Sequence, residues 1–89
     1  GMMGYHSTLC AMKVDEKRID EVAAVVNSYP GVTHNYLREH DLNMWFTVTA
    51  PSKKELDEII AKIKRDTGIS DILNLPAQKL FKIRVNFEL

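Results

Sequence analysis

The sequence predicts an α+β domain of the ferredoxin-like plan: βαββαβ, a four-stranded antiparallel sheet with both helices on one face. Two observations predict it. Two apolar series at helical spacing recur along the chain, and each is flanked by short runs with strand character. The helical series repeats at a fixed offset. Asp15 and Ser52, Ile19 and Leu56, Val22 and Ile59, Ala23 and Ile60, Val26 and Ile63, and Gly31 and Gly68 each stand 37 positions apart. A duplicated βαβ unit folds into this plan because both helices must bury their apolar stripe on the same sheet.

The elements follow in order. A first strand is expected over about His6 to Val14. The first helix follows Asp15 and carries Ile19, Val22, Ala23 and Val26 on one face, the i, i+3, i+4, i+7 pattern. It stops at Pro30-Gly31. A strand over about Val32 to Arg38 and another over about Met44 to Ala50 form a hairpin. Pro51 discourages the latter from continuing helically. Ser52 and Glu55 then form a capping box: Ser52 accepts from the Glu55 amide, and the Glu55 carboxylate reaches back. Gly31 and Gly68 fit helix stops that need an unusual backbone. A last extended stretch begins near Ile69. Between Lys79 and Phe87, apolar and polar residues alternate, which reads as a strand continuing beyond an irregular step at Pro76.

With 89 residues the chain is a single domain spanning 1–89, with Gly1 reading as a tag remnant. So short a chain buries about 60–70% of its unfolded surface, and a dimer is expected. Lys plus Arg total 12 and Asp plus Glu total 12, giving no net charge. No basic excess marks a nucleic-acid surface, and no DNA contact through this domain is expected. One cysteine, no long apolar run and no signal-peptide pattern point to the cytoplasm and away from membranes. Cys10 is read as a small apolar filler, since nothing beside it in sequence lowers its pKa.

The unusual residues gather in one hairpin, HNYLREHDLNMWFT, His34 to Thr47. Met44, Phe46 and Val48 form an apolar row that should meet the helices, which turns Asn43, Trp45, Thr47 and Thr49 to the other side. Pairing Arg38 with Asn43 sets Tyr36 opposite Trp45, His34 opposite Thr47 and Leu37 opposite Met44. Carrying the 37-residue offset into the first strand turns His6, Thr8, Cys10 and Met12 away from the helices. The helix-free face is then expected to hold His6, His34, Tyr36, Arg38, Asn43, Trp45 and Thr47, with His40 in the loop nearby. Trp, Tyr and Arg are also the types enriched at interface hot spots, so a dimer interface accounts for them equally. His34 and His40 lie on different elements without an acidic ligand at suitable spacing, so no metal site of the protein's own is expected.

The helix-strand-strand layout resembles the effector-binding, dimerising half of the Lrp/AsnC regulators. Gly31 to Thr47, GVTHNYLREHDLNMWFT, looks closer to one branch of that superfamily, the sirohaem decarboxylases and related haem d1 biosynthesis proteins. GYHSTLCAMK (Gly4 to Lys13) and LNLPAQKLFKI (Leu73 to Ile83) are similar to the same branch, so the resemblance spans nearly the whole chain. The helix-turn-helix that usually opens such chains has no counterpart here.

This resemblance implies a decarboxylase subunit, a carbon–carbon lyase paired with itself or with a related subunit. Its substrate would be an iron tetrapyrrole bearing acetate side chains, with no cofactor of the protein's own. On that reading Trp45 and Tyr36 stack on the disc, Arg38 takes a rim carboxylate, and Asn43 and His6 complete the binding set. Loss of carbon dioxide leaves electron density on a methylene carbon, and His34, His40 or Tyr36 supplies the proton. The other imidazole orients a carboxylate or ligates the substrate's iron. Two other readings stand beside this one: an amino-acid-binding and dimerisation module of an Lrp/AsnC-type regulator, and a structural interaction domain whose hairpin is sealed in a symmetric dimer.

Overall fold

The structure, a computed structural model, describes residues 5–76. In chain order it contains β1 (His6–Met12), a single 3-10 turn (Glu16–Arg18), α1 (Ile19–Asn27), β2 (Val32–Leu37), β3 (Met44–Ala50), α2 (Lys53–Thr67) and β4 (Ile72–Pro76). The strands form one antiparallel sheet in the order β2-β3-β1-β4. This is the ferredoxin-like arrangement that the duplication predicts. The alternating stretch 79–87 lies outside the described residues.

The helices form where the apolar series predicts. Val22 and Val26 of α1, and Leu56, Ile60 and Ile63 of α2, pack against Cys10, Met12, Met44, Phe46 and Val48 of the sheet. Phe46, Met12, Met44 and Ile63 are completely buried. Ser52 caps α2, its Oγ accepting from the Glu55 N–H at 3.1 Å. The other half of the capping box differs from expectation, because Glu55 Oε2 accepts from the Ser52 hydroxyl at 3.1 Å. Asp15 caps the 3-10 turn, accepting from Lys17 N–H, and the α-helix proper starts only at Ile19.

The two helix-stop glycines have different reasons. Gly68 ends α2 with φ 75°, the left-handed geometry that favours glycine. Gly31 does not adopt a positive φ. Its constraint is close approach: a Cβ there would sit 2.6 Å from the Thr49 carbonyl oxygen and 3.2 Å from Ile59 Cδ1. The Gly31 carbonyl in turn accepts from Thr49 N–H at 2.8 Å, which locks the start of β2 onto β3.

The orientation of β1 corrects the sequence-based expectation. Cys10 pairs with Phe46, Thr8 with Val48 and Met12 with Met44, so Thr8, Cys10 and Met12 face the helices and are buried. His6 pairs with Ala50 in the same row. Leu9 and Ala11 take the open side. The 37-residue offset holds for the helices and fails for the strands, because the connections differ. Residues 13–18, with their extra turn, join β1 to α1, whereas only 51 and 52 join β3 to α2. An odd shift in a period-two element exchanges its faces.

Candidate functional site: an open apolar platform

Antiparallel pairing places directly opposed residues on the same face of the sheet. Two rows therefore cross the side that the described helices leave bare. One runs Tyr36, Trp45, Ala11, Leu73, and the other Thr33, Thr47, Leu9, Leu75. The first row is aromatic at the β2 end and aliphatic at the β4 end. Tyr36 (44% exposed) and Leu73 (41% exposed) remain open to solvent, while the small Ala11 between Trp45 and Leu73 is fully covered. The sheet thus presents a largely apolar surface four strands wide. Leu9, Ala11, Leu73 and Leu75 are members that the hairpin motif did not reveal. For Leu73 and Leu75 the alternation around Asn74 was the available signal, whereas β1, apolar in both rows, offered none.

Arg38 and Trp45 share this side. The guanidinium carbon of Arg38 lies 5.4 Å from the centre of the indole ring, a cation–π contact. The indole is itself held: Trp45 Nε1–H donates to the Leu42 carbonyl at 2.7 Å. The N–H of Leu42 donates to His40 Nδ1 at 3.0 Å. A single loop residue therefore anchors both His40 and Trp45. With Nδ1 accepting, the neutral His40 ring carries its proton on Nε2, a donor free of that anchor.

Three expected members are placed differently. Asn43 is consumed by structure: Oδ1 accepts from Val14 N–H at 2.8 Å and Nδ2 donates to the Val14 carbonyl at 2.9 Å. His6 sits in the helix-side row, five residues along β1 from Ala11, roughly 17 Å away along the strand. The structure thereby corrects its expected place on the open face. His34 does not pair with Thr47. Thr33 does, and the register shifts between Thr33 and Tyr36. Beyond the shift the expected pairs return, Tyr36 with Trp45 and Leu37 with Met44, and Arg38 N–H donates to the Asn43 carbonyl at 2.9 Å.

Cys10 fits its expected role. It is fully buried, and burial pushes its thiol up to about 12, with Lys64 opposing the shift in part. Among the described residues, no helix is long and apolar enough to cross a membrane.

A model of the AsnC-like ligand binding domain matches residues 2–82 of the chain. The siroheme decarboxylase alpha subunit of Desulfovibrio desulfuricans is 56% identical over 87 residues, covering 98% of this chain and 50% of that protein. The siroheme decarboxylase of Hydrogenobacter thermophilus is 42% identical over 88 residues, covering 98% of this chain and 26% of that one. The chain thus spans half or less of the length of these relatives. Among solved structures, the siroheme decarboxylase NirDL in co-complex with an iron-uroporphyrin III analogue superposes with a TM-score of 0.75 at 43% identity, covering 82% of this chain and 24% of that one. PH0061, at 13% identity and a TM-score of 0.70, shares the fold.

Proposed function

This chain belongs to the family of AsnC-like ligand binding domains, and we propose that it acts as a subunit of a sirohaem decarboxylase whose macrocycle lies on the helix-free face. The observation that carries this reading is the joint placement of Trp45, Tyr36 and Arg38 on one side of the sheet, over an apolar floor. A tetrapyrrole is a flat apolar disc with carboxylates on its rim. The floor buries the disc, and Arg38, a planar fork at the edge, takes a rim carboxylate. The relatives of this sequence carry the same activity in their names, and a related solved structure holds an iron-uroporphyrin analogue.

In the reaction the bond between an acetate methylene and its carboxyl carbon breaks and carbon dioxide leaves. The electron pair stays on the methylene carbon, which then takes a proton and becomes a methyl group. His40 is one candidate donor: its Nδ1 is anchored by the Leu42 N–H, which leaves Nε2 as the nitrogen free to exchange a proton. Tyr36 and His34 are the other candidate donors, and His34 is a candidate axial ligand for the substrate's own iron. The protein needs no metal or cofactor of its own for this step. The pocket is completed by a second subunit, a copy of this chain or a related one, in the cytoplasm.

The test is to mix the chain anaerobically with sirohaem, follow its absorption, and weigh the product. A spectral shift with loss of carbon dioxide is expected, if need be after adding a related subunit. No shift with or without a partner would move the assignment to an amino-acid-binding module of a regulator, which shares this fold.

A further inference from the structure

We infer that His34 shapes the open face through its backbone: it is the one inserted residue of β2, and its left-handed conformation lets Val32 face the helices while Tyr36 and Arg38 face the open side. Val32 and Tyr36 are four residues apart, so an unbroken strand would show them on the same face. Yet Val32 pairs with Val48, in the core row, and Tyr36 pairs with Trp45, in the open row. Between Thr47 and Trp45, β3 offers only Phe46, whereas β2 offers both His34 and Asn35 between Thr33 and Tyr36. Two residues against one is a β-bulge.

Asn35 is the residue that keeps the alternation. Its Nδ2 donates to Asn27 Oδ1 on α1 at 3.0 Å, which places it on the helix side, where Phe46 also faces. His34 is therefore the extra one. It has φ 55°, the one positive value among the described non-glycine residues. Histidine tolerates this region better than most side chains, and β-branched residues scarcely enter it. Residue 34 thus has a positioning role separable from its imidazole.

The test uses three imidazole-free variants of the whole chain: His34→Gly, His34→Val, and a deletion of residue 34. Glycine accepts the left-handed conformation, so the backbone contact between the paired Tyr36 and Trp45, read by cross-strand nuclear Overhauser effects, is expected to persist. Deletion is also expected to preserve that contact, because Asn35 then pairs with Phe46 in an unbroken strand. Valine should lose it and melt about 5 °C or more below the glycine variant. A valine variant that keeps both contact and melting temperature, or a deletion that loses the contact, would overturn the inference. If the valine variant does not fold, the deletion decides.

The binding arm rests on the platform reading. Iron uroporphyrin should bind the glycine and deletion variants alike and the valine variant at least about tenfold more weakly. If the cross-strand contacts follow this pattern but the unmodified chain binds no iron uroporphyrin, the platform reading fails and the backbone role stands.

Discussion

Asn43 holds the backbone of Val14 at both its N–H and its carbonyl, with bonds of 2.8 and 2.9 Å across 29 positions of sequence. The same residue's carbonyl accepts from Arg38 N–H. One side chain therefore ties the segment just after β1 to the hairpin that carries Arg38 and Trp45. Replacing it with alanine leaves two partly buried backbone groups unpaired, at a cost of about 1–3 kcal/mol. Asn43→Asp keeps the acceptor but sets a carboxylate oxygen against the Val14 carbonyl, and should be no better near neutral pH. Urea unfolding reads both. An unchanged midpoint for Asn43→Ala would mean that the clamp contributes nothing.

Arg38 is exposed, and its contact with Trp45 is worth about 0.5–1 kcal/mol at such a site. Arg38→Ala should therefore lower stability by less than about 1 kcal/mol. Its effect on iron-tetrapyrrole affinity should be larger, roughly tenfold or more, because a charge-assisted bond to a carboxylate is lost. Arg38→Lys retains charge without the planar fork and should fall between. Equal melting losses with undiminished affinity would remove Arg38 from the binding set.

Cys10 supplies a pH dependence with a definite sign. Its folded thiol is pushed up to about 12 from an ordinary value of 9.0, chiefly by burial. Above pH 9 the unfolded chain loses this proton while the folded chain keeps it, so the folded state binds more protons and stability falls as pH rises. The contribution is intact below pH 9 and declines between 9 and about 12. Cys10→Ala should flatten this decline relative to the parent. A thiol reagent at pH 8 should react only as fast as the chain opens. Rapid labelling of the folded protein would contradict the burial.

The two helix-stop glycines should respond differently to alanine. Gly31→Ala drives a Cβ into the Thr49 carbonyl, a backbone atom that cannot swing aside, and should cost about 1–3 kcal/mol. Gly68→Ala meets open space and carries only the left-handed penalty, about 1 kcal/mol. Asparagine should therefore rescue position 68 in part and position 31 not at all. Thermal melts of the four variants check the contrast.

Much of this was legible in the residues. The stripes on α1 and α2, the Ser52 cap, the limits of β3 and the pairing of Tyr36 with Trp45 follow from short-range patterns, and the hairpin motif pointed to the family. A helical stripe is about 100° wide and tolerates small errors of phase. A strand does not, since one extra residue exchanges its faces. Strand β1 is apolar on both sides, with Cys10 and Met12 in one row and Leu9 and Ala11 in the other, so its composition could not say which row the helices cover. The bulge at His34 and the hold of Asn43 on Val14 depend on partners that only the assembled sheet brings near. Sequence alone determined which elements form and which side chains gather in the hairpin. Tertiary structure decided which of them share the open face, because that choice rests on strand parity and on hydrogen bonds between distant segments.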